Sequence, residues 1–230
     1  MARLARIVLP DIPHHVTQRG NRRMAVFSEP GDYALYRDLL AERLAANAVV
    51  CSAYCLMPNH VHLLLTPTLP DVRDAAASLS RAVGEAHRRF TAFVNARART
   101  TGHLFQGRFG SAPMDEGHWL AAVRYLAFNP VRAGLVDRPE DWPWSSVKAH
   151  LRGRGDGLVD VAKVLAVAPQ FADLLAPGAD KLAFEAQAAS GRPLGDAAFL
   201  ARAEAQLGRS LTPGRPGRKP DASKAPPNAS

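Results

Sequence analysis

The sequence predicts an α+β fold, an antiparallel sheet with packed helices of the ferredoxin-like or RRM-like kind. Three observations lead there. Apolar periodicity alternates between two residues and 3.6 residues in the order strand, helix, strand, strand, helix, strand, helix. The middle two strands are separated only by Met57-Pro58-Asn59, a turn short enough for antiparallel neighbours alone. The chain is 230 residues long and 47% hydrophobic, so it can bury a core without a disulfide framework.

Each element has its own signal. His14 to Gly20 is short and β-prone and closes on Gly20-Asn21, a strand and turn. From Asp32 to Ala46, Tyr33, Tyr36, Leu39, Leu40 and Leu44 recur at helical spacing. Val49–Leu56 and His60–Thr66 read as a strand pair. Asp71 to Arg99 is alanine-rich and helical, with Asp71 and Asp74 suited to its N-terminus. His103 to Met114 reads as an irregular strand. Asp115 to Phe128 reads as a helix ended by Asn129-Pro130, because the residue before a proline disfavours helical geometry.

This organisation predicts a domain over 1–152, closed by Trp142-Pro143-Trp144 against the sheet. A Gly/Arg linker and a small helical region follow over 153–207, suited to DNA recognition. The tail, 208–230, is rich in Pro, Gly, Ser, Lys and Arg and reads as disordered. Lys and Arg number 29 against 21 for Asp and Glu, mostly arginine, so a polyanionic partner is expected. No apolar run reaches the ~18 residues of a membrane span, and the N-terminus lacks a signal-peptide core. Two cysteines exclude a disulfide scaffold, so a cytoplasmic protein is expected.

His60-Val61-His62 is the central chemical feature. On a strand, side chains two apart share a face, and two imidazoles so placed suit one metal ion. Tyr125 and Asn129, four apart, share a helix face; a phenol can be a nucleophile and an amide oxygen a ligand for a hard cation. Cys51 and Cys55 fall on one face of a regular strand but about 13 Å apart, too far for a shared zinc site. His14, His15, His87, His103, His118 and His150 have no ligating spacing and read as structural or surface groups.

Four blocks together resemble a known family. They are His15–Asn21, the Leu56-Met57-Pro58-Asn59-His60-Val61-His62-Leu63-Leu64-Leu65 string, Phe105-Gln106-Gly107-Arg108-Phe109, and Tyr125 through Leu135. Together they are similar to the single-tyrosine HUH transposases, and to the REP-associated tyrosine transposases among them, over about residues 1–150. Phe105 stands where the family more often has Trp, and Gly110 where a basic residue is common.

The resemblance implies a transposase, a metal-dependent single-stranded DNA endonuclease and strand transferase acting at hairpin-forming repeats of the REP-element kind. It implies Tyr125 as the catalytic nucleophile forming a 5′-phosphotyrosine, and a divalent metal, Mg²⁺ or Mn²⁺, held by His60, His62 and Asn129. Expected DNA contacts are Gln18 and Arg19 on the first strand, Arg22 and Arg23 in the turn, Arg108 between two aromatics, and Arg132 after the tyrosine helix. Arg81, Arg88, Arg89, Arg97 and Arg99, on or just after the second helix, read equally as a DNA face or a solvated one. The expected setting is the bacterial cytoplasm, associated with the nucleoid, as monomer or homodimer. The alternative is a sequence-specific DNA-binding protein of the same fold without cleavage activity. An RRM-like RNA binder would instead expose aromatics on its central strands.

Overall fold

The computed structural model describes residues 6–176 and 191–211. Its first six elements are β1 (His14–Arg19), α1 (Pro30–Ala45), β2 (Val49–Met57), β3 (His60–Pro67), α2 (Val72–Ala98) and β4 (Gly110–Pro113). The strands form one sheet in the order β2-β3-β1-β4, every neighbouring pair antiparallel. This is the ferredoxin-like arrangement that the element order predicts. Helix α3 (Glu116–Arg132) follows, then the short helices α4 (Val147–Leu151), α5 (Ala162–Val167) and α6 (Phe171–Leu174), and finally α7 (Ala197–Leu207).

Local chemistry sets the helix starts. Pro30 sits in the first turn of α1, where its missing N–H costs nothing. The Asp71 carboxylate caps α2 by accepting from the N–H groups of Arg73 and Asp74. Asp115 caps α3 by accepting from His118 N–H, and Asp196 caps α7 by accepting from Phe199 N–H.

The sheet divides the core in two. Tyr54, Leu56, Val61, Leu63 and Leu65 face α1 and α2, meeting Tyr36, Leu40, Leu79, Val83 and Phe90. Ala53, Cys55, Met57 and Leu64 face α3, meeting Trp119, Val123 and Leu126. Three of the five α2 arginines tie helices together or pair within α2 and do not form an open basic face. Arg97 forks onto Asp32, Arg89 pairs with Glu42, and Arg88 with Glu85.

Three expectations are corrected. The strand expected over 103–114 is reduced to Gly110–Pro113, because Gly102 and Gly107 take left-handed conformations (φ 110° and 53°) that no strand contains; Phe105 keeps a single bridge to Gly20. Helix α3 runs through Asn129-Pro130 to Arg132. One proline so near the end removes a single hydrogen bond, and the last turn still closes through Ala133 N–H to Asn129 O and Leu135 N–H to Pro130 O. Cys51 and Cys55 lie on opposite faces, since the ladder slips between Cys51 and Ala53. That bulge inverts the alternation. Both thiols are buried, and burial raises their pKa.

The segment from Trp142 to Ser146 lies along β2. Leu56 N–H donates to Trp144 O, Ser146 N–H donates to Tyr54 O, and the Trp142 indole donates to Leu56 O. Farther on, Asp156 accepts from the Tyr54 hydroxyl, and Leu158, Val159 and Val161 enter the α1/α2 core. Val164 and Phe171 enter the α3 core. Helix α7 rests on Leu9 through Phe199 and Ala203. The expected disordered tail lies outside the described residues from 212 onward.

Candidate active site

Strand register decides which side chains meet. Thr17 pairs with His62 and Arg19 with His60, so the odd-numbered residues of β1 share a face with both histidines. That face carries α3. Along α3, Tyr125, Asn129 and Arg132 stand at i, i+4 and i+7 and form one stripe. The Tyr125 ring sits 5.6 Å from that of His62, and the His60 and His62 rings are 4.8 Å apart. His60, His62 and Tyr125 therefore converge where α3 packs on β3, and Asn129 stands one turn farther along the same helix stripe.

The turn after β1 brings further charge to the same corner. Gly20 N–H donates to Asn59 O, and the Asn59 amide donates to Arg23 O, so the turn is fastened beside His60. A Cβ on Gly20 would meet Met24 O at 2.2 Å, which excludes any other residue there. Arg22 and Arg23 are exposed and both have left-handed backbone (φ 51° and 62°). Arg132 stacks its guanidinium 4.5 Å over the Tyr125 ring and donates to the Tyr125 carbonyl.

His15 is the residue sequence reasoning missed. It is fully buried, with Nε2 2.9 Å from His62 Nδ1. Only the β1–β3 register identifies it: His15 is two before Thr17, hence on the His62 face. Burial lowers its pKa to about 3. His62 lies well below its ordinary value, first through burial and then through the charges of His15, His60, Arg19 and Arg132. Both imidazoles are therefore neutral at neutral pH.

The chemistry of the donors fits a cation. With the proton of His62 on Nδ1, facing His15, its buried Nε2 keeps a lone pair, and that nitrogen has no partner. His60 directs Nδ1 at the Asn59 side-chain oxygen, 2.6 Å away, which likewise places its lone pair on Nε2. The buried amide of Asn129 has an unpartnered Nδ2, and a flip of that amide would present oxygen instead. Among the described residues, no three His, Cys, Asp or Glu side chains are grouped to hold an ion, so the fit is to two imidazoles, one amide and external oxygens.

Two expected DNA contacts lie elsewhere. Gln18 points to the α2 face, is only 3% exposed, and donates to the carbonyls of Gln106 and Gly107; it holds a loop and does not present itself to a ligand. Arg108 is exposed on that same side. Phe105 and Phe109 beside it are core residues, 7% and 8% exposed, and offer no open stacking platform.

Comparison with known proteins agrees with the fold. A Haemophilus influenzae protein that bears the name REP-associated tyrosine transposase is 30% identical over 112 residues. The chain is similar in sequence to that family. The match covers 43% of this chain and spans 61% of the relative's length. A solved REP-associated tyrosine transposase bound to a REP hairpin superposes with a TM-score of 0.56 at 22% identity, over 70% of this chain and 93% of that one, and shares the fold. No family model matches the chain. No helix among the described residues is long and apolar enough to cross a membrane.

Proposed function

We propose that this chain is a transposase-type enzyme that cuts and rejoins single-stranded DNA at hairpin-forming repeats. Tyr125 is its catalytic nucleophile, and His60, His62 and Asn129 hold a divalent cation, Mg²⁺ or Mn²⁺. The observation that carries this reading is the meeting of a half-buried tyrosine with His62, a neutral buried imidazole whose Nε2 has no partner, and with His60 beside it, whose Nδ1 is held by Asn59. The similarity to REP-associated tyrosine transposases supports it.

In this reading the Tyr125 oxygen attacks a backbone phosphorus. The bond to the 3′ oxygen breaks, leaving a 3′-OH and a phosphotyrosine on the 5′ side. A free phenol is mostly protonated at neutral pH, so its proton must leave near the transition state. The Arg132 guanidinium over the ring favours the phenolate as it forms. Arg19, Arg22 and Arg23 bind the backbone on either side of the cut. A cation held by His60, His62 and Asn129 would supply Lewis acidity to the scissile phosphate when bound. The phosphotyrosine conserves the energy of the diester, so a 3′-OH can attack it and reseal a strand without ATP.

The test is a covalent adduct. Labelled single-stranded DNA carrying a repeat hairpin is incubated with the protein and Mn²⁺ or Mg²⁺ and run on a denaturing protein gel. The expected adduct disappears with EDTA, with Tyr125→Phe and with His60→Ala. An adduct that survives Tyr125→Phe removes the nucleophile assignment. Tight hairpin binding with no adduct leaves a DNA-binding protein of this fold.

A further inference from the structure

A cavity of about 460 Å³ opens between α2 and the loop of residues 103–109, on the sheet face opposite the histidine pair. Arg6 forms one wall. Its guanidinium lies 3.7 Å over the Phe109 ring and donates to Ser80 Oγ and to Phe109 O, both at 3.0 Å. No carboxylate pairs with Arg6 or Arg108 among the described residues, and the two cations act on each other. Arg88 and His103 add to the rim. A half-buried guanidinium held by neutral acceptors beside a second unneutralised one is an anion site waiting for charge.

The cavity is too large for a bare anion. Leu104, Phe105 and Phe109 give it an apolar side, and its volume falls within the range of small-molecule sites. The helix keeps it open. Gly84 lies in the middle of the 27-residue α2, where glycine costs about 1 kcal/mol relative to alanine. A Cβ there would meet nothing within 4 Å, so any larger side chain would project into the cavity.

We propose that this cavity is a second nucleic-acid subsite. It takes one nucleotide of a single-stranded segment, the phosphate against Arg6 and Arg108 and the base toward Leu104. The proposal rests on the reading that the chain handles single-stranded DNA. The subsite is one strand away from the candidate active site. Gln18 and Arg19 are consecutive on β1 and point to opposite faces, and Gln106 N–H donates to Arg19 O. A strand passing over the β4 edge would touch both.

Fluorescence anisotropy of the full chain with two labelled probes tests this: a repeat hairpin with a ten-nucleotide single-stranded flank, and the same hairpin without it. Gly84→Leu fills the cavity without removing charge, and Arg108→Ala removes charge without filling it. Each should weaken the flanked probe about fivefold at ~0.1 M salt, the loss of one phosphate contact, and Arg108→Ala should lower the salt slope by about 0.7. The unflanked probe should bind both variants as it binds the unaltered chain. Equal binding of the flanked probe by all three proteins overturns the subsite, as does saturation by thymidine 5′-monophosphate that leaves flanked binding unchanged, which would assign the cavity to a free nucleotide. The tyrosine adduct of the unaltered chain is scored separately. Its presence with unaffected variants rejects only the cavity, and its absence with a flank-dependent loss rejects only the cleavage reading.

Discussion

The two faces of the sheet are covered differently. On the α1/α2 face, two helices seal the strands, and Tyr36, Leu63, Val83 and Phe90 are wholly excluded from solvent. On the α3 face, α3 and residues of the short helices α4 to α6 cover the β2–β3 half, and His15 and His62 occupy buried positions that Val16 and Leu63 hold on the other side. The Thr17, Arg19 and Gly110 end stays open. Burying neutral imidazoles without full hydrogen bonding is unfavourable. The first face supplies the stability that lets the second carry them.

The contrast can be broken in several ways. The largest expected effect is on the α3 face: Tyr125→Phe should reduce adduct to background on a denaturing gel while the melting temperature stays within a few degrees. A variant that kept its adduct would move the nucleophile elsewhere. On the opposite face, Phe90→Ala should cost about 3–5 kcal/mol by denaturant unfolding. A cost below about 1 kcal/mol would deny that this side holds the fold together.

His15→Gln sharpens the comparison, since it alters only what stands behind His62. Loss of such a supporting partner typically weakens cation affinity about 10–100-fold. Mn²⁺ titration followed by electron paramagnetic resonance reads this directly, and unchanged affinity would make His15 a mere core residue.

Acid should act on both faces. Burial lowers His14 to about 4 and His15 and His87 to about 3, against about 6.5 in the unfolded chain. Their folded values are depressed, so the stability they allow is complete above pH 6.5 and is lost as pH falls toward 4. Melting temperature followed by circular dichroism should decline across that window, and less steeply in His87→Gln. A flat profile would contradict neutral burial. The smallest expected effect is a gain: Gly84→Ala should stabilise by about 1 kcal/mol or less, and a loss would show that α2 tolerates no side chain there.

Much of this was legible in the sequence because periodicity is local. Element order, the β2–β3 hairpin and the shared face of Tyr125 and Asn129 follow from spacing alone. What the sequence hid depends on distant pairing. His15 belongs with His62 only through the β1–β3 register, and Gln18 faces away from its neighbour Arg19 for the same reason. Cys51 and Cys55 part company at a bulge that no local pattern announces. The helix end at Asn129-Pro130 was misplaced because tertiary packing of a buried proline outweighed a local preference.

The Trp142–Ser146 segment on β2 has a consequence for association between molecules. A nine-residue strand with an open flank would offer its backbone to any other chain in solution. Here that flank is taken by the chain's own carbonyl and amide groups. At the other margin of the sheet, β4 is four residues long and ends in Pro113, with Leu194 bridged to Met114 just beyond. Neither margin is a template for growth, so the protein can be concentrated on its substrate without its sheets joining end to end.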